Sequence, residues 1–129
     1  MSRLLIIDDD QSIRKLLRCI FEKLGHEVNE AENGEEGFNR YLIQPADVVI
    51  TDLFMPQREG LETTLKLRRL ENPPEVIVIT GAGRWYREAY LETAKKLGAL
   101  TVLIKPFTPK KIIAAVQAGL QKKWNPFLH

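Results

Sequence analysis

Residues 48–52 read Val48-Val49-Ile50-Thr51-Asp52, an apolar run that breaks off on a hydroxyl and a carboxylate, and Leu53-Phe54-Met55-Pro56 follows it. A strand with one wet face alternates apolar and polar residues, whereas an unbroken run suits a strand covered on both faces, as in a parallel sheet. Three further runs have the same character: Leu4-Leu5-Ile6-Ile7, Val76-Ile77-Val78-Ile79 and Val102-Leu103-Ile104. A weaker run from His26 to Ala31 reads as an edge strand.

Between these runs the apolar spacing becomes helical. Ile13, Leu16, Leu17, Ile20, Phe21 and Leu24 form one stripe, closed by Gly25 where a helix C-terminus favours glycine. Either Asp10 or Ser12 is placed to cap its start. Residues 34–43 form a second helical segment despite Gly37 inside it. Leu61, Leu65, Leu67 and Leu70 mark a third, which stops before Asn72-Pro73-Pro74. Tyr86 to Leu97, closed by Gly98, is the fourth. The fifth runs from Pro109, suited to a first helical turn, to about Lys122. Strand and helix alternate five times, which predicts an α/β, doubly wound parallel sheet with right-handed crossovers.

A chain of 129 residues fits a single domain, and neither an internal repeat nor a Gly/Ser linker divides it. The expected domain covers residues 1–122, with residues 123–129 as a tail. That tail either packs Trp124 or Phe127 on the domain or is the stub of a linker. A net charge of +2 is too balanced to predict direct nucleic-acid or membrane-surface binding. The sole cysteine, Cys19, has no partner for an internal disulfide, no apolar run reaches the length of a membrane span, and Met1 to Asp10 turns acidic too early for a secretion signal. A cytoplasmic protein is expected. His26 and His129 lack metal-ligand spacing and read as surface residues.

Doubly wound sheets carry their sites at the carboxyl ends of the strands. Asp8-Asp9-Asp10 ends the first apolar run, Asp52 the third, Thr80 the fourth and Lys105 the fifth. Polar groups far apart in sequence are thus expected along one rim. Clustered carboxylates repel one another unless a cation sits among them. Asp8, Asp9 and Asp52 are hard oxygen donors, too few for a calcium cage but suited to Mg²⁺, which keeps several waters. Asp10 reads as a helix cap. Beside a metal and Lys105, Asp52 becomes a candidate nucleophile toward phosphorus, with Lys105 and the metal offsetting charge on the phosphoryl oxygens. Thr80 would donate a hydrogen bond to one of them.

These residues resemble the response regulator receiver family, the CheY-like domains of two-component signalling. The resemblance runs from about Arg3 to Leu120 and is carried by IIDDDQSIRKLL, VVITDLFMPQREGLE, VIVIT and LIKPF. It implies a flavodoxin-like (βα)5 fold with strand order 2-1-3-4-5. It also implies that Asp9, Asp52 and the Phe54 backbone carbonyl ligate Mg²⁺ directly, with Asp8 acting through a metal-bound water. Asp52 would be the phosphoacceptor, Thr80 and Lys105 would contact the phosphoryl group, and the Lys105-Pro106 bond would be cis. The implied donor is a phosphohistidine on a sensor histidine kinase or a histidine phosphotransfer protein. The output would be binding of a downstream protein, a phosphorylation-dependent dimer, or onward transfer of the phosphoryl group. No turnover enzyme is expected, only self-phosphorylation and self-dephosphorylation.

Three positions depart from the family pattern. Val102 stands where an aromatic switch residue is usual. Thr80 to Gly98 is three residues longer than expected, which makes Trp85 and Tyr86 candidates for the missing aromatic readout. Phe54 is apolar where polar residues are frequent, so it is expected to shield an acyl phosphate from water. A haloacid-dehalogenase-like phosphohydrolase would need a second acid two residues after its nucleophile, and Phe54 occupies that place. The remaining alternative is the receiver portion of a longer regulator whose effector domain is absent here.

Overall fold

The computed structural model describes residues 2–52, 59–81 and 87–125. Five strands alternate with five helices: β1 Arg3–Ile7, α1 Gln11–Lys23, β2 Glu27–Ala31, α2 Gly34–Ile43, β3 Val48–Asp52, α3 Glu59–Arg68, β4 Glu75–Thr80, α4 Arg87–Lys96, β5 Thr101–Ile104 and α5 Pro109–Trp124. All pairings are parallel, and the sheet runs β2-β1-β3-β4-β5, the expected order. α5 extends to Trp124, two residues into the segment read as a tail, and Trp124 is 62% exposed rather than packed on the domain. Phe127 lies outside the described residues.

The unbroken apolar runs are explained by the two cores. Leu4, Ile6, Val48, Ile50, Ile77 and Ile79 point to one face, where Leu17 and Phe21 of α1 and Ile112 and Val116 of α5 cover them. Leu5, Ile7, Val49, Val76, Val78 and Val102 point to the other, against Tyr41 of α2, Leu67 of α3 and Ala94 of α4. Successive residues alternate faces, and both faces are dry. Burying each such side chain contributes roughly 1.5–3 kcal/mol. β2, at the edge, buries only Val28 and Ala31 fully, which is why its signal in the sequence is weak. His26 is half-buried instead of exposed, its ring 6.1 Å from that of Phe21.

Helix ends follow local chemistry. The Asp10 carboxylate accepts from the Ser12 amide at 2.9 Å, so Asp10 is the cap of α1. Gly25 and Gly98 have φ of +90° and +100° just beyond α1 and α4, a conformation that costs other residues energy. Pro109 opens α5 behind the Thr108 cap.

Gly37 has a different cause. A Cβ there would run into Cδ1 and Cγ1 of Ile7, a fully buried residue of β1. α2 therefore lies so close to β1 that only hydrogen fits. In an open helix Gly→Ala stabilises by roughly 1 kcal/mol, whereas overpacking a core costs about 1–3 kcal/mol. Gly37→Ala is expected to lower the urea midpoint, and a raised midpoint would show that the approach relaxes freely.

Candidate functional site

Strand register assembles the polar rim. Ile7 pairs with Thr51, so the next residues of these neighbouring strands, Asp8 and Asp52, stand side by side. Asp52 pairs with Ile79, placing Thr80 one step beyond it on β4. Thr80 pairs with Ile104, and Lys105 follows. The Lys105 amide donates to the Thr80 carbonyl at 2.7 Å, and the Lys105-Pro106 bond is cis. The strand order reverses between β1 and β3, where Asp8 and Asp52 lie.

Carboxylate oxygens of Asp8, Asp9 and Asp52 lie within 4.8 Å of one another. Asp8 and Asp52 are buried and Asp9 is exposed. The Lys105 ammonium enters from β5 and donates to Oδ2 of Asp8 at 3.1 Å and Oδ2 of Asp52 at 3.0 Å. The Asp10 amide donates to Oδ1 of Asp8 at 2.9 Å. One side chain from the far edge of the site thus bridges two carboxylates. Three acids facing one ammonium leave negative charge in excess, and hard oxygen donors at this spacing fit a divalent cation such as Mg²⁺.

Burial pushes the Asp8 carboxyl up to about 6; the Asp10 amide opposes this, the Asp52 charge adds to it, and Lys105 counters it. Burial alone would lower Lys105, but its hydrogen bond to Asp52 and the charges of Asp52 and Asp8 hold its pKa above the ordinary lysine value. It stays cationic at neutral pH.

The Asp8 shift has a consequence for stability without metal. Between the ordinary value of 3.8 and about 6, the folded chain keeps a proton that the unfolded chain has lost. Stability from this group is therefore complete below 3.8 and is lost as pH rises through about 6. In chelator, wild type is expected to lose about 2 kcal/mol relative to Asp8→Asn between pH 4 and pH 7. Urea unfolding of both chains across that range measures the difference, and parallel curves would contradict it.

Of the other sequence candidates, Val102 is 8% exposed and sits in the core beside α3 and α4. Phe54, Trp85 and Tyr86 lie outside the described residues. Arg14 of α1, not singled out from the sequence, donates through Nη1 to the Asp8 carbonyl at 2.7 Å. Its only signal in the sequence is its place in the first turns after the acidic run. Among the described residues, no helix is long and apolar enough to cross a membrane.

Residues 4–117 match the family model of the response regulator receiver domain. The chain is 31% identical to the transcriptional regulatory protein ResD of Bacillus subtilis over 94% of its length and 49% of the relative's. It is 32% identical to the probable transcriptional regulator ycf27 of Cyanophora paradoxa over 98% of its length and 51% of the relative's. The chain thus spans about half the length of these curated relatives. A receiver domain protein from Clostridium thermocellum superposes with a TM-score of 0.86 at 28% identity, covering 96% of this chain and 98% of that one. The chemotaxis response regulator CheY4 of Vibrio cholerae superposes with 0.82 at 27% identity, over 93% of this chain and 99% of that one.

Proposed function

The chain belongs to the response regulator receiver family of two-component signalling, and we propose that it is a switch driven by a phosphoryl group on Asp52. The observation that carries this reading is the Lys105 ammonium at 3.1 and 3.0 Å from two carboxylates on adjacent strand ends, with a third carboxylate beside them. That pattern supplies a nucleophile, a fixed cation and a metal site within one small rim.

In the proposed step, a carboxylate oxygen of Asp52 attacks the phosphorus of a phosphohistidine on a sensor kinase or phosphotransfer protein. An O–P bond forms and the N–P bond breaks. The imidazole leaves with the bonding electron pair and takes a proton from solvent. Lys105 offsets charge on the phosphoryl oxygens, and the Thr80 hydroxyl donates to one of them. Asp8, Asp9 and Asp52, with the Phe54 carbonyl, would hold Mg²⁺, which adds charge neutralisation at the same oxygens when bound. The chain is modified once per cycle and loses the group by hydrolysis, so it is not a turnover enzyme. It would work in the cytoplasm, binding a downstream protein or a second copy, or passing the phosphoryl group on.

With Val102 buried in place of a swinging aromatic, readout by that residue's rotation is not available, and Trp85 or Tyr86 is proposed for that role. A second reading, the receiver portion of a longer regulator, is favoured by the half-length match to transcriptional regulators. Intact mass after incubation with Mg²⁺ and acetyl phosphate tests the shared chemistry. One labile phosphoryl group is expected with Mg²⁺ and none in chelator. A chain that takes up nothing from acetyl phosphate or a phosphoramidate would count against the proposal.

A further inference from the structure

The acidic rim is held by more than its own side chains. Arg14 lies in the first turns of α1 with its side chain only 14% exposed, and its guanidinium spans two partners. Nη1 donates to the Asp8 carbonyl at 2.7 Å, and Nε donates to Oε1 of Glu30 on β2 at 3.2 Å. Glu30 is itself held by Nη1 of Arg18, whose Nη2 reaches the Val28 carbonyl at 3.0 Å. An edge strand with few buried residues thus aims one arginine at the backbone between two site carboxylates.

The target of that hydrogen bond is what gives it meaning. The Asp8 carbonyl and the Asp9 amide share one planar peptide unit, so fixing the carbonyl fixes the direction in which Asp9 leaves it. Asp8 has further anchors: its amide donates to the Ala31 carbonyl at 3.1 Å, and its carboxylate receives Asp10 and Lys105. Asp9 is exposed, and its placement depends far more on the peptide that carries it. We infer that Arg14 is a positioning residue, which holds the Asp8–Asp9 peptide so that Asp9 meets the divalent cation beside Asp8 and Asp52. The inference rests on the metal site proposed above.

Positioning and simple charge predict opposite signs. Arg14 is a cation near a cation site, so on Coulombic grounds its removal should tighten Mg²⁺ binding. If it positions a ligand, its removal should weaken binding, and groups that orient metal ligands typically cost about 10–100-fold in affinity when lost. Arg18 provides the structural control, because it shares Glu30 with Arg14 and itself binds the Val28 carbonyl of β2, while its bonds go to neither Asp8 nor Asp9.

The experiment is calorimetric titration of Mg²⁺ into wild type, Arg14→Ala, Arg14→Lys and Arg18→Ala, with urea unfolding of each. Arg14→Ala is expected to weaken Mg²⁺ at least about tenfold. Arg18→Ala is expected to lose stability with its Mg²⁺ affinity unchanged. Arg14→Lys keeps the charge but cannot span both partners, so it should also bind more weakly; it carries the test if the alanine variant does not fold. Affinity in both Arg14 variants equal to or tighter than wild type overturns the inference and leaves the metal site standing. No Mg²⁺ binding by wild type overturns both.

Discussion

Asp52→Asn, incubated with Mg²⁺ and acetyl phosphate, is expected to gain no phosphoryl group under conditions where the wild-type chain gains one. The substitution keeps the side-chain shape at a position only 4% exposed, so the fold should persist. What it removes is the anionic oxygen that must form the O–P bond, because a neutral amide is a far weaker nucleophile. The neighbouring side chains of Thr51 and Thr80, both buried, present neutral hydroxyls, which are weaker nucleophiles than an ionised carboxylate. Hydroxylamine sharpens the result, since it cleaves acyl phosphates and spares phosphate esters. The wild-type adduct should disappear on that treatment. An equal, hydroxylamine-sensitive adduct on Asp52→Asn would move the acceptor to another carboxylate and sink the assignment.

Lys105→Gln should produce two changes of opposite sense. Its ammonium occupies oxygens of Asp8 and Asp52 that a divalent cation would also need. Removing it eliminates a competing charge, so Mg²⁺ is expected to bind more tightly. Phosphorylation should nevertheless slow by about 10²–10³-fold at saturating Mg²⁺, the usual loss when one fixed donor to developing oxygen charge is removed. Measuring the rate by intact mass and the affinity by calorimetry separates the effects. A rate within a few-fold of wild type would show that Lys105 serves the carboxylates alone, as their counter-ion.

Much of this was legible in the sequence because parallel sheets leave a strong local trace. Four continuous apolar runs marked four strands, and the polar residues closing each run marked the rim that Asp8, Asp52, Thr80 and Lys105 share. Gly25 and Gly98 marked helix ends through their backbone conformation, which is a local property. Features that depend on distant contacts were not legible. Gly37 looked out of place in a helix because its cause, Ile7, lies 30 residues away. Arg14 carried little signal because it binds a backbone carbonyl, which every residue possesses. The choice between Asp10 and Ser12 as cap turned on which oxygen faces which amide, and spacing does not encode that.

The close seat of α2 on β1 also has an evolutionary reading. Ile7 immediately precedes the first site carboxylate, so whatever α2 does at position 37 is felt one residue from the chemistry. Positions 7 and 37 share a fixed volume, so position 37 cannot grow while Ile7 stands. A lineage that acquires a methyl group at 37 should first trade Ile7 for a side chain that lacks both contacting carbons, such as Ala. The order of those two substitutions would be constrained, because the intermediate with both larger residues is the unfit one.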